Sequence, residues 1–335
     1  LRAGAHGSGS VATSSKDGIT LSHRAGSSTT EIRNWLDAAH RRLREHADVL
    51  DDLNVFPVAD ADTGANLSAT VGFAAEAAHL IEGRDVGELL VYAGQAALEQ
   101  ARGNSGVLAA VALTAMGQAV EGCVRLTAAQ LKAALMAAQV RCWSALTEPV
   151  PGTMISVLQA AGEVPVPDTA AEGSNQQLVE WLDLMVQAAT QAVIDTVDQI
   201  PVLSERGTVD SGALGMLVIL AALRAELSGE DSAADPVQDI VRDHALPLTS
   251  DEREPSDGYE VMGTMDLSAL DAAELRHELD DAGDSVIVSA VSENENGYTW
   301  RVHVHVADPD TALDLMRRRG TARNVTVTSL AAEPR

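Results

Sequence analysis

"NVFPVADADTGANL" occupies residues 54–67 and sets two aspartates, Asp60 and Asp62, one residue apart before a Thr–Gly pair and an apolar segment with helical spacing. In extended backbone, side chains two apart point the same way, so both carboxylates aim at one spot. There they repel each other unless a cation lies between them. Ligands that are all oxygen favour a hard ion such as Mg2+, whose shell is completed by water and phosphate oxygens. An EF-hand is excluded, because its twelfth position needs glutamate and the count from Asp60 reaches Val71. The plainer reading is an acidic turn, with Asp62 as a helix N-cap and Gly64 as a turn residue.

Upstream, "SSTTEIRNWLDAAHRRLREHADVLDDLN" has the Ser28/Glu31 spacing of a capping box and puts Ile32, Trp35, Leu36, Ala39, Leu43 and Leu50 on one helical face. This helix stops at "NVFPV", where Pro57 disfavours helix before it. Further helical patterns run over about 64–82, 86–101, 104–121, 126–146, 152–163, 175–198 and 211–228. That makes eight helices, with no strand before residue 229. "ARGNSGVLAA" (101–110) places Gly103, Asn104, Ser105 and Gly106 at a helix start, where small residues let backbone N–H groups approach a phosphate. In isolation it also reads as a Gly-rich helix–helix turn. "VPGTMIS" (150–156) and "VDSGALGM" (209–216) are two more polar, Gly-containing entrances. Alternate entrances of an up-and-down bundle share one end, so these loops can converge.

The stretch 228–258 is acidic, contains proline and is weakly periodic, as a linker would be. After it "YEVMGTMDL", "SVIVSAVS", "TWRVHVHVA" and "VTVTSL" read as strands, and "DAAELRHELDDAG" and "DPDTALDLMRRRG" as helices. The expected organisation is a leader over 1–27, a helical domain over 28–229, a linker over 230–257 and a small α/β domain over 258–335. His303 and His305 alternate with Val302, Val304 and Val306, so both imidazoles share one strand face. Such a pair can begin a zinc site, and a half-exposed strand face explains it equally well.

Acidic residues outnumber basic ones 49 to 23, which repels nucleic acid and anionic lipid surfaces. Lys16 and Lys132 are the only lysines, and no P-loop run is present. Cys123 and Cys142 lack C-x-x-C spacing and read as buried thiols of a reducing cytoplasm. Residues 103–120 carry no charge but include Asn104, Ser105, Thr114 and Gln118, which fits a buried bundle helix better than a membrane span. Residues 1–27, rich in Gly and Ser, carry no secretory signal and read as a disordered leader of a trimmed chain.

Residues 54–67 resemble "NVFPVPDGDTGTNM" of bacterial fatty acid kinases, whose N-terminal domain is similar to the nucleotide-binding subunit (DhaL) of dihydroxyacetone kinases. "ARGNSGV", "PVPGTM" and "VDSGALG" match that family's later motifs in order, and "DGYEVMGTMDL", "AGDSVIVSAVSENENGYTWRVHVHVADPDTAL" and "GTARNVTV" look like its middle domain. The resemblance implies a mainly α fold, an eight-helix up-and-down DhaL-like barrel holding ATP with two Mg2+ ions, followed by the small α/β domain. Carried over, the metal ligands are Asn54, Asp60 and Asp62, the two aspartates acting as the electrostatic catalyst. Thr63, Gly64, Asn66, Gly103, Asn104, Ser105 and Gly106 would line the nucleotide, with Thr153 and Asp210 as further candidates. Ala59 and Ala61 replace the family's proline and glycine, and Ala61 is strained if φ is positive there. Glu260 stands where the family has the cysteine of "GYC", so Glu260, His303 and His305 form a candidate Zn2+ site.

The implied activity is transfer of the ATP γ-phosphate to a fatty acid carboxylate presented by a separate DegV-like fatty-acid-binding protein. A carboxylate is already ionised at neutral pH and needs no general base. The family's further C-terminal domain does not follow Arg335, so the chain reads as a truncated or short relative, with a homodimer through the middle domain expected. Two alternatives stand beside it: a nucleotide-binding scaffold or sensor without turnover, and the nucleotide subunit of a dihydroxyacetone-type kinase.

Overall fold

The computed structural model describes residues 25–229, 236–244, 258–295 and 297–330. Helix α1 (Thr29–Asp52) begins at the expected capping box: Ser28 and Glu31 cap each other's backbone. Its predicted apolar face is buried, and the Trp35 indole N–H donates to the Ile219 carbonyl at 3.0 Å. Seven more long helices follow: α2 (Thr63–Ala78), α3 (Val86–Gln100), α4 (Gly103–Ala119), α5 (Ala128–Ala145), α6 (Met154–Glu163), α7 (Asn175–Gln199) and, after the single-turn α8 (Pro201–Arg206), α9 (Ser211–Ser228). Each long helix packs on the next, and α9 closes on α1, giving the eight-membered up-and-down ring.

The uncharged α4 is a buried helix of this ring. Among the described residues only α9 is long and apolar enough to cross a membrane, and most of it is covered by its neighbours.

Two helices were not expected. Pro201 sits in the first turn of α8, where its missing N–H costs nothing, so a new helix starts after the extended Ile200. Inside the expected linker, α10 (Pro236–His244) buries Val237 and Ile240 against the helical core; two apolar positions are too few to register as periodicity. The remainder of that linker, 230–235 and 245–257, lies outside the described residues, as do 1–24 of the expected leader. Residues 25–27 are pinned to the ring: Gly26 N–H donates to the Leu227 carbonyl and buried Ser27 to that of Leu126.

The second part is an antiparallel sheet in the order β2-β3-β1-β4, made of β1 (Tyr259–Leu267), β2 (Asp284–Asn294), β3 (Gly297–Val306) and β4 (Ala322–Ser329). Helices α11 (Ala269–Asp280) and α12 (Pro309–Arg319) cover one face, enclosing Val261, Met265, Val302, Val304 and Met316. The period of two then turns Arg301, His303 and His305 to the opposite face. That face is not half-exposed: Met262, Ile287 and Val291 join the core of the helical part, and His303 is fully buried.

Candidate functional site

After α1 the chain turns at buried Asn54, whose side-chain amide donates to Asp60 Oδ1 at 2.5 Å. Asp62 is the N-cap residue of α2, as the acidic-turn reading has it, but its side chain makes no capping hydrogen bond. The cap comes from Asp51 at the end of α1, whose Oδ1 accepts from Gly64 N–H (2.7 Å) and Ala65 N–H (3.2 Å). The Asp62 carboxylate is left on the cavity wall beside that of Asp60. Ala61, between them, has φ 57°, the strained conformation anticipated for it.

Burial, followed by the neighbouring Asp62 carboxylate, pushes the Asp60 pKa up to about 8. Burial also raises that of Asp62, against hydrogen bonds from Asp60 and Asn66. Two carboxylates held this close, in a partly desolvated site, favour a proton or a cation between them.

The entrances of α2, α4, α6 and α9 share one end of the ring and line a single cavity of about 770 Å3. Of the expected residues Asn54, Asp60, Asp62, Thr63, Gly103, Asn104, Ser105, Thr153 and Asp210 reach its wall. Gly103 has φ +60°, and a Cβ there would lie 2.4 Å from the Asn66 amide nitrogen. Asp210 caps α9 through Ala213 N–H at 2.7 Å, and burial pushes its pKa up to about 7.

Gly64, Asn66, Gly106 and His303 sit behind the wall. A Cβ on Gly64 would meet the Ala47 carbonyl at 2.4 Å, so this glycine serves the close approach of α1 and α2. Gly106 packs likewise on Thr70. Asn66 acts through Asp62, to which it hydrogen-bonds.

The sheet forms the opposite wall. Glu260, Asp284, Ser285 and His305 line the same cavity as the aspartates, so the two sites expected from sequence are one. The ligand atoms of Glu260, His303 and His305 lie within 4.8 Å of one another. His303 Nδ1 is 2.9 Å from the Ser285 carbonyl, which can only accept, so Nδ1 carries the hydrogen. Its Nε2 faces Glu260 Oε1 at 3.1 Å, a gap that needs a proton or a cation. Burial, and then the neighbouring His303, push the His305 pKa down to about 3, leaving a neutral imidazole. His305 Nδ1 has no hydrogen-bond partner.

Asp51 and Arg301 were missed. Arg301, 4% exposed, donates from Nη2 to the Ala101 carbonyl at 2.9 Å and so ties β3 to the start of the α3–α4 loop. The signal was present, since Arg301 shares the alternation of His303 and His305. Asp51 looked like one more charge on an exposed helix end.

The DAK2 domain family matches residues 57–225, about half of the chain. The chain belongs to the DAK2-domain family. Residues 256–335 of this DAK2-domain protein match a second family, the FakA-like middle domain of fatty acid kinases. It is thus a kinase-related protein with the same two-part composition that the motifs implied. An uncharacterized protein of Staphylococcus epidermidis is 28% identical over 314 residues, covering 88% of this chain and 54% of the relative. Protein YloV of Bacillus subtilis is 27% identical over 294 residues, covering 84% and 52%. The chain therefore spans about half the length of these curated relatives. The dihydroxyacetone kinase from C. freundii, solved in complex with AMP-PNP and Mg2+, overlays with a TM-score of 0.45 at 21% identity, covering 65% of this chain and 38% of that one.

Proposed function

We propose that the protein is an ATP-dependent, Mg2+-requiring kinase module that phosphorylates a fatty acid held by a DegV-like partner, forming acyl phosphate. The observation that carries this reading is the convergence of four helix entrances on one cavity with the Asp60/Asp62 pair at its wall. Asn54, Asp60 and Asp62 would hold Mg2+; the donor set is all oxygen, and its raised pKa values fit a site made for a cation. Bound there, two Mg2+ ions would neutralise the triphosphate, the task a P-loop lysine performs elsewhere.

The chain's own residues supply position and field. Gly103, Asn104 and Ser105 present a helix N-terminus to phosphate oxygens, while Thr63, Thr153 and Asp210 line the remaining wall. The buried setting strengthens each of these interactions by excluding water. An ionised acyl carboxylate attacks without a general base, so none is required from the wall. The Glu260–His303–His305 trio fits a transition metal, since its donors converge and His305 is neutral, its Nδ1 making no hydrogen bond and lying 3.7 Å from Asp284 Oδ1; we assign it Zn2+. A homodimer is proposed at the outer edge of the sheet, where β4 exposes Val325 and Val327. The setting proposed is the cytoplasm.

The test is transfer of labelled γ-phosphate from ATP to a fatty acid, with and without a DegV-like protein loaded with that acid. Labelled acyl phosphate formed only with the partner supports the reading, and none under any condition contradicts it. Ala61, strained in the metal loop, favours one second reading, a nucleotide-binding scaffold without turnover. That reading requires nucleotide binding with no transfer.

A further inference from the structure

Arg301 is a buried cation, 4% exposed, whose hydrogen bonds among the described residues all go to neutral groups. Nη2 donates to the Ala101 carbonyl at 2.9 Å and approaches Met262 Sδ at 3.7 Å, Nη1 lies 3.4 Å from Thr264 Oγ1, and Nε has no partner. A charge taken out of water without an opposite charge beside it is costly, and an apolar side chain would fill such a position more stably. The compensation lies in what Ala101 is. It is the C-cap residue of α3, and the last carbonyls of a helix have no partner within it and carry the negative end of its dipole. Arg301 thus caps α3 from the other part of the chain.

That cap also bears on where the next helix starts. α4 begins at Gly103, two residues after Ala101, and Gly103, Asn104 and Ser105 line the part of the cavity read above as facing phosphate. From the ring side, Arg102 N–H meets Thr70 Oγ1 of α2 at 3.4 Å, so the sheet supplies the shorter of these two ties. Asn104 Oδ1 is buried with no hydrogen-bond partner among the described residues, an acceptor suited to a ligand or its metal.

We propose that Arg301 is a positioning residue of the nucleotide site: by capping α3 from the sheet it fixes residues 103–105 in the cavity wall. This deepens, and rests on, the nucleotide reading above. It also gives the docked sheet a task, since the wall is then set in place from both parts of the chain. A wall segment displaced by about an ångström forfeits much of its fit to a bound group.

Arg301→Met keeps the reach and the apolar stem but removes every donor, whereas Arg301→Lys keeps the charge and a donor for the single carbonyl. Arg276→Ala removes a different tie between the two parts, to the Ser144 carbonyl and Thr147 Oγ1. Mg·ATP is titrated into the full chain below the melting transition of each variant. Arg301→Met is expected to bind at least about tenfold more weakly than wild type. Arg301→Lys should return to within about threefold of wild type, and Arg276→Ala should match wild type. Without nucleotide, amide exchange in Arg301→Met should quicken at residues 102–106 while α1 and α9 keep their protection, a local change that general loss of stability would not give. Should Arg301→Met not fold, Arg301→Gln, with an amide donor but no charge, carries the same test. Unchanged affinity or unchanged exchange in Arg301→Met, no recovery in Arg301→Lys, or equal weakening by Arg276→Ala each overturns the assignment and leaves the nucleotide reading intact. No binding by the wild-type chain overturns the nucleotide reading, and the assignment with it.

Discussion

At Ala61 the backbone takes φ 57° with a Cβ present, a conformation that costs an L-residue roughly 1 kcal/mol and glycine very little. Ala61→Gly is therefore expected to raise stability by about 1 kcal/mol and the melting temperature by a few degrees. Thermal unfolding checks this, and an unchanged or lower midpoint would contradict it. The sequence pointed to this strain only through the resemblance, because Ala61 stands where the resembling motif has glycine; the extended backbone read for residues 60–62 does not hold at Ala61. Asp60 makes a second residue-scale prediction. Its carboxyl titrates near 3.8 in the unfolded chain and near 8 in the fold, so the folded state holds the proton more tightly between these values. Its contribution to metal-free stability is full below about pH 3.8 and is lost as pH rises through about 8. Asp60→Asn removes that dependence, so the metal-free variant should gain on wild type between pH 5 and pH 8. Mg2+ should return the advantage to wild type. Melting curves at pH 5, 6.5 and 8, with and without Mg2+, decide the point.

Helix α2 carries the metal loop at its entrance, and its first N–H groups are held from outside by the buried carboxylate of Asp51. Losing that acceptor leaves buried donors unsatisfied, so Asp51→Ala is expected to cost about 2 kcal/mol in urea unfolding. A cost within error of zero would mean that Asp62 takes over the cap. Gly64→Ala would place a methyl group 2.4 Å from the Ala47 carbonyl in α1 and is expected to cost roughly 3 kcal/mol through forced separation of the two helices. The eight long helices were readable, because periodicity and caps agree over long spans; Ser28 with Glu31 before α1 is an example. α8 and α10 were not readable, because one turn and two buried residues give periodicity too little to act on. The Asp51 cap was hidden for another reason: it joins residues 13 apart across a turn whose path no local pattern fixes.

In the molecule as a whole, an up-and-down bundle with a shared end for alternate entrances was foreseeable from eight helices with short connections, whereas its closure into a ring was implied only by the family resemblance. The docking of the sheet onto that end was not foreseeable, since nothing in an acidic connecting stretch says which strand face turns inward. Packing decided it: Met262, Ile287 and Val291 leave the sheet to join the helical core, Leu146 bridges Ile287, and Arg276 donates to the Ser144 carbonyl at 3.2 Å. A core shared in this way couples the two parts. Helical and near-ultraviolet signals should lose structure in one coincident transition, and two separated transitions would contradict the shared core.

The central claim is that the cavity between ring and sheet is a metal–nucleotide site organised by Asp60 and Asp62. Thermal unfolding with ATP tests it most directly, run with Mg2+, with Mg2+ chelated, and with both aspartates changed to Asn. A ligand at a hundred times its dissociation constant stabilises by about 2.7 kcal/mol, enough for a shift of a few degrees. The account predicts a shift that needs Mg2+ and both carboxylates. A shift that survives either chelation or the double substitution, or no shift in the wild-type chain, would contradict it.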